Sequence, residues 1–320
     1  MKPAVVAILG PTATGKSALA LAIAARYDGE IINCDSTAVY RGFDIGTDKI
    51  AVADRRGVPH HLIDIVDPAE EYTAAQYARD AAAVVRAVHA RGRLPILAGG
   101  TGFYYRALTR GLFPGPGRDA ALRQRLEAVA ERRGVTFLHR MLQRFDRPSA
   151  VRIQPRDLKR LVRALEVYFQ TGRPLTAHFA QTVSLLDAEV QVVPIGLRMP
   201  AAWLSERLAE RVNAQFDRGL LDEIRALLAA GVPPDARPFG GLVYRQAMEH
   251  LQGARGEAET RALIAQENRR YARRQLIWFR KEPNLVWFDG PGTNAEVQDS
   301  VIRELAARDL LKDGSHVADT

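Results

Sequence analysis

The chain of 320 residues has a single cysteine, Cys34. That excludes an internal disulfide and any zinc site built from several thiolates, and it makes a reducing cytosol the natural compartment. No uninterrupted apolar run is long enough to span a bilayer, so no membrane partner is expected. Internal repeats and low-complexity tracts are also lacking. Hydrophobic residues, at 47%, and charged ones, at 26%, are in the usual balance for a globular protein with a full core. The opening run from Met1 to Gly10 reads as a buried strand rather than a leader, because its apolar stretch is short and leads straight into a glycine loop.

Charge is unevenly placed. The formal net charge is +8, and residues 118–173 hold 14 Lys and Arg against 6 Asp and Glu, a surplus of 8 that equals the whole. Such a local excess suits an RNA backbone or a solvated helical surface, and charge alone does not choose between them.

Strand and helix patterns alternate over the first hundred residues. Strands are predicted at 4–9, 30–34, 62–66 and 94–98, and helices at 17–27 and 73–91, the latter capped by Thr73. That alternation predicts an α/β fold, a parallel sheet covered by helices. The cluster Phe113-Pro114-Gly115-Pro116-Gly117 marks a boundary. Helical patterns follow at 118–145 and 156–171, then a strand at 190–197. Beyond it come helices at 201–230, 244–251 and 257–279, a short strand at 285–288, and a polar tail from about Lys312. The organisation is thus a core of 1–114 with 191–320, carrying a helical basic insertion at 115–190.

Gly10-Pro11-Thr12-Ala13-Thr14-Gly15-Lys16-Ser17 fits G-x4-G-K-[ST], between an apolar strand and a helix. Glycines let backbone N–H groups turn around an anion, and the helix N-terminus adds partial positive charge. Lys16 is placed to neutralise a terminal phosphate and the Ser17 hydroxyl to bind Mg2+. Nucleotide-hydrolysing relatives of this loop hold the metal with a second aspartate at a strand end. Here the strand at 94–98 runs into Gly99-Gly100-Thr101-Gly102, with no acid. The acid comes after the second strand, in Cys34-Asp35-Ser36. In a doubly wound sheet that strand end faces the same crevice, so Asp35 is either a base near the bound phosphates or a helix cap.

These residues resemble one family along nearly the whole chain. The phosphate loop followed by the run from Asp35 to Thr47 is similar to the opening of tRNA dimethylallyltransferases, as is Val58-Pro59-His60-His61-Leu62-Ile63-Asp64. Gly99-Gly100-Thr101-Gly102-Phe103-Tyr104 resembles the family's GGTG-x-Y element, the stretch 152–167 its tRNA-contacting segment, and Tyr271–Arg280 its late arginine-rich motif. The chain departs from the pattern at Val243, Gln154, Asn268 and Ile277. The resemblance implies a P-loop NTPase-like sheet and transfer of a dimethylallyl group from dimethylallyl diphosphate to the N6 amine of the adenosine 3′ of the anticodon. It implies Asp35 and Thr101 as catalytic residues, the loop 10–17 as the diphosphate site, and Mg2+ on Ser17. It further implies tRNA contacts from Asp35, Ser36, Thr37, Ala38, Thr101, Arg123, Asp157, Leu158, Lys159, Arg160, Leu161, Tyr244, Arg245, Arg273, Arg274 and Gln275. The partner it implies is the anticodon stem-loop, with the target adenine flipped out of its stack, and the enzyme is expected to be a cytoplasmic monomer. Trp278, Phe279, His60 and His61 are read as packing and hydrogen-bonding residues. Rival readings are a small-molecule kinase, an adenylate isopentenyltransferase acting on free nucleotides, and an RNA-binding module with a vestigial loop.

Overall fold

The computed structural model describes residues 2–113, 115–179, 182–186 and 188–308; the tail from Lys312 lies outside the described residues. They form two compact units, one made of the residues up to Thr109 with those from Leu185 onward, the other of Arg110–Ser184.

The first unit is built on β1 (Ala4–Leu9), α1 (Lys16–Tyr27), β2 (Gly29–Asn33), β3 (His60–His61), α2 (Ala74–Ala90), β4 (Leu94–Gly99) and α3 (Gly102–Arg110). All six residues of β1 are buried. Val5, Ala7 and Leu9 pack into one apolar cluster, and Ala4, Val6 and Ile8 into another. A strand alternates its side chains, so a continuous apolar run means a core on each face. At α2, Thr73 accepts from Gln76 N–H at 3.2 Å while Gln76 Oε1 accepts from Thr73 N–H at 2.8 Å, a reciprocal cap.

The second unit holds α4 (Ala120–Arg133), α5 (Val135–Phe145), α6 (Arg147–Arg152), α7 (Leu158–Thr171) and α8 (Leu175–Phe179), with no strand among its described residues. Gly134, at φ 81°, breaks the run predicted as one helix from 118 to 145. Its core includes Leu138, Leu142, Leu161 and Leu165. Glu166 is fully buried there. It accepts from Arg123 Nε at 2.8 Å, Arg163 Nη1 at 2.6 Å and Asp119 N–H at 2.8 Å. Burial opposes its ionisation, but the two guanidiniums and the amide outweigh burial and hold the carboxyl at about 2, below the ordinary 4.5. Glu166→Ala is therefore expected to cost about 3–5 kcal/mol, because it removes the buried counter-charge of both guanidiniums and the acceptor of the Asp119 amide. Since the folded-state pKa is depressed, the stabilisation is complete above pH 4.5 and disappears as pH falls toward 2. Urea melts of both proteins across that window check it; equal pH dependence would contradict the assignment.

The chain returns to the first unit with β5 (Gln191–Arg198), α9 (Ala201–Asp217), α10 (Leu220–Ala229), α11 (Leu242–Leu251), α12 (Glu257–Phe279), β6 (Val286–Asp289) and α13 (Ala295–Ala307). The sheet has six strands in the order β3-β2-β4-β1-β5-β6, with every neighbouring pair parallel. Besides the break at Gly134, the helix predicted at 201–230 divides at Gly219, whose φ is 92°, and further features differ from the sequence reading. No strand forms at 62–66, because Leu62 and Asp64 take left-handed φ values of 61° and 58° that no strand accommodates; the third strand is instead the two-residue His60–His61 just before it. The helix α13, capped by Asn294, was not predicted. The second unit ends at Ser184 rather than at 190, because Leu186 and Val190 pack into the core beneath the sheet.

Candidate functional site

Strand register assembles the site. Leu9 pairs with Gly99 across β1 and β4, and Asn33 pairs with Ala98 across β2 and β4. The phosphate loop follows Leu9 directly, Thr101 lies two residues past Gly99, and Asp35 two past Asn33. The three leave the carboxyl ends of adjacent strands together, the edge where open α/β sheets hold ligands.

Tight backbone contacts shape the loop. Gly10 has φ 142°, and a Cβ there would sit 2.5 Å from the Leu197 carbonyl oxygen. Gly15 opens α1 in a left-handed conformation, so the first helical amides face the loop. Lys16 Nζ donates to Pro11 O at 2.6 Å. Burial first, then the neighbouring Arg211 charge, bring its pKa down to about 8, opposed by Asp35. Gln275 joins the two glycine elements. Its Oε1 accepts from Thr12 N–H at 2.9 Å and its Nε2 donates to Gly100 O at 2.8 Å, where a Gly100 Cβ would lie 2.2 Å from that nitrogen. Arg211 Nη1 donates to Thr12 Oγ1 at 2.6 Å. The sequence reading missed Arg211. The available signal was polar residues at Arg207, Arg211 and Gln215, four apart on a helix that also carries Leu208, Val212 and Phe216.

Asp35 both caps a turn and faces the cavity. Its Oδ1 accepts from Thr37 N–H at 2.9 Å and Thr37 Oγ1 at 2.6 Å, while Asn33 Oδ1 accepts from Asp35 N–H at 3.0 Å. Thr101 braces the same segment, its Oγ1 accepting from Ser36 N–H at 3.1 Å and its N–H donating to Cys34 O at 3.1 Å. Tyr271, not singled out by sequence as a site residue, lines both cavities of the site. Burial foremost, then the Asp35 charge, push its pKa well up and keep it protonated. Cys34 is buried beneath, its thiol pushed up to about 12 by burial.

Two cavities meet at these residues. One, of about 620 Å³, contains the phosphate loop, Asp35, Asp48, Arg211 and Tyr271; the other, of about 250 Å³, contains Asp35, Ser36, Thr37, Asn268 and Tyr271. Thr12, Asp35, Thr47, Asp48, Arg211 and Tyr271 line both. Ser17 lies exposed at the edge of the larger cavity. Among the described residues no three His, Cys, Asp or Glu gather as metal ligands. A lone hydroxyl beside a phosphate cradle still fits Mg2+, which keeps several waters and takes phosphate oxygens.

Residues 38–282 match the family described as IPP transferase. The chain belongs to the IPP transferase family. A tRNA dimethylallyltransferase of Solibacter usitatus is 47% identical over 301 residues, 94% of this chain and 97% of that one. One from Geobacter metallireducens is 43% identical with the same coverage of 94% and 97%. The crystal structure of the tRNA isopentenylpyrophosphate transferase from Bacillus halodurans superposes with a TM-score of 0.71 at 37% identity, covering 97% of each chain. A eukaryotic dimethylallyltransferase acting on tRNA is alike in fold, with a TM-score of 0.77 at 24% identity over 98% of this chain and 81% of that one.

In this IPP transferase several residues expected at an RNA surface are internal. Tyr244 is 2% exposed, its hydroxyl donating to Glu223 Oε1 at 2.6 Å and accepting from Gly46 N–H at 3.0 Å. Leu161 lies in the core of the helical unit and Ala38 is buried, while Arg123 is committed to Glu166. Gln275 is buried between the glycine loops. Lys159, Arg160, Arg245, Arg273 and Arg274 are exposed, and Leu158 is half-buried. Asp157 caps α7 by accepting from Arg160 N–H at 3.2 Å. Val243 packs in the core, Asn268 lines the smaller cavity, Ile277 is exposed, and Gln154 lies on the surface. Phe279 is fully buried, and Trp278 packs beneath the Arg106 guanidinium at 4.3 Å. His61 Nε2 pairs with Glu30 Oε2 at 2.6 Å and His60 Nδ1 with Val58 O at 2.8 Å.

Proposed function

We propose that the chain transfers a dimethylallyl group from dimethylallyl diphosphate to the exocyclic N6 amine of the adenosine immediately 3′ of the anticodon in tRNA, releasing diphosphate. One observation carries this reading: the Asp35 carboxylate lines both the phosphate-loop cavity and the smaller one beside it. A donor held by its diphosphate in the first and a purine in the second would meet at that carboxylate.

The donor's C–O bond breaks as the N6–C bond forms, and the diphosphate leaves with the bonding pair. The backbone N–H groups of loop 10–17, Lys16 and Arg211 stabilise that developing charge. Mg2+ on Ser17, when bound, supplies further charge neutralisation. The amine is a weak nucleophile because its lone pair is conjugated with the ring, so Asp35 hydrogen-bonds it and accepts its proton. Thr101 holds the Asp35 segment, and Tyr271 lines the purine site. A third, surface cavity supports entry of RNA from this side. It is lined by Arg245, Arg270 and Arg274, and it shares Leu242 and Tyr271 with the smaller cavity. Exposed arginines of this kind grip phosphates without reading sequence. Lys159 and Arg160 of the helical unit serve the anticodon loop in the same way. The buried, protonated Cys34 suits a reducing compartment, and the reading places a monomeric enzyme in the cytoplasm.

The test uses purified protein, Mg2+, labelled dimethylallyl diphosphate and an unmodified tRNA, with AMP replacing tRNA in a parallel reaction. Label should enter the tRNA and vanish when the target adenine becomes guanine. Label in AMP alone would move the chain to the nucleotide-prenylating enzymes. Phosphoryl transfer from ATP in place of prenyl transfer would return it to the kinases.

A further inference from the structure

Asp48 takes no part in the chemistry above, yet it lines both cavities. It follows Thr47 in the segment between β2 and β3, at a left-handed φ of 50° that aspartate tolerates better than most residues. The segment is pinned on several sides. Glu223 Oε2 accepts from Asp44 N–H at 3.0 Å and Ile45 N–H at 2.7 Å, the Tyr244 hydroxyl holds Gly46 N–H at 3.0 Å, and Lys49 Nζ donates to Tyr40 O at 2.5 Å. So fixed, the Asp48 carboxylate meets α9. It accepts from Arg211 Nε, from Gln215 Nε2 at 2.6 Å and from Arg218 Nη2 at 2.5 Å.

Of these partners, Arg211 alone reaches the phosphate loop, through its 2.6 Å bond to Thr12 Oγ1. A guanidinium is a flat fork with five N–H donors, and an unanchored arginine carries substantial rotamer freedom. Arg211 also shares its cavity with Lys16, a like charge that repels it. Asp48 answers both problems. It occupies the Nε side of the fork, which leaves the Nη side over the loop, and it supplies the counter-charge that lets two cations stay in one cavity. We propose that Asp48 is a positioning residue that holds Arg211 across the phosphate loop and so sets affinity for the prenyl diphosphate without contacting the adenine. This rests on the reading that the loop and Arg211 hold the diphosphate.

A double-mutant cycle tests it, using Asp48→Asn, Arg211→Ala and the pair. Calorimetry reads the affinity for inorganic diphosphate, and steady-state kinetics read KM for dimethylallyl diphosphate and for tRNA. Asp48→Asn should weaken diphosphate binding and raise donor KM by roughly 10-fold, the scale of a lost charge-assisted contact, with tRNA KM unmoved. Combined with Arg211→Ala it should add nothing further, because Asp48 acts through that side chain. Arg218→Ala, which leaves the Asp48–Arg211 pair intact, should keep donor KM at the wild-type value. If Asp48→Asn unfolds, Asp48→Glu, which keeps the charge and shifts the carboxylate by a methylene, carries the same cycle. Full additivity of the two losses, or an unchanged donor KM in Asp48→Asn, overturns the inference. Unchanged diphosphate affinity in Arg211→Ala would instead sink the underlying assignment of the diphosphate site, a distinct result.

Discussion

Asp35→Asn is expected to lower single-turnover prenyl transfer at saturating donor by about 10²- to 10⁴-fold, the range for removing a general base, while leaving affinity for tRNA unchanged. The separation of rate from binding follows from the geometry. Asn keeps an oxygen where Oδ1 accepts from Thr37 N–H at 2.9 Å and Thr37 Oγ1 at 2.6 Å, so the turn that carries the residue stays formed. What is lost is the charge that accepts a proton from an attacking amine. Rapid-quench measurement with labelled donor, paired with filter binding of tRNA, reads the two quantities separately. A variant that loses tRNA affinity along with rate would make Asp35 an RNA contact only. A variant with wild-type rate would remove it from the chemistry.

The second large effect concerns Lys16. With its pKa brought down to about 8 by burial and then by Arg211, its ammonium is charged below that pH and increasingly neutral above it. A bound diphosphate favours the charged form. Donor affinity should therefore hold on the acid side of 8 and fall as pH rises through it, by up to about tenfold per pH unit. Lys16→Ala should abolish that inflection and cost about 10²- to 10³-fold in turnover, comparable to removing one donor from a preorganised anion site. Diphosphate titrations of both proteins between pH 6.5 and 9.5, roughly the window around that pKa, decide it. An inflection that survives in Lys16→Ala would assign the titration to another group.

Much of the site was legible as one-dimensional pattern because its parts lie close together in the chain. The loop needs one strand, one turn and one helix in sequence, and residues 4–27 supply all three. Likewise the apolar run 4–9 and the Thr73 cap are local signals that survive into the structure. The strand expected at 62–66 failed for a local reason too, since the left-handed turns at Leu62 and Asp64 are invisible to hydrophobic pattern. Tyr244 and Leu161 looked like RNA contacts because family motifs do not distinguish a residue that touches a ligand from one that supports the wall behind it.

Sequence alone determined the glycine-rich loop between strand and helix, the parallel sheet and the basic helical segment that interrupts it, while Asp35 and Thr101 came as candidates from the family resemblance. Tertiary structure decided what surrounds them. Arg211 meets Thr12 across 199 residues and Gln275 meets Thr12 across 263, and Asp48 receives Arg211 from a helix 163 residues away. Such partners have no periodicity relating them, because strand order and helix packing, not chain spacing, set which side chains share a cavity.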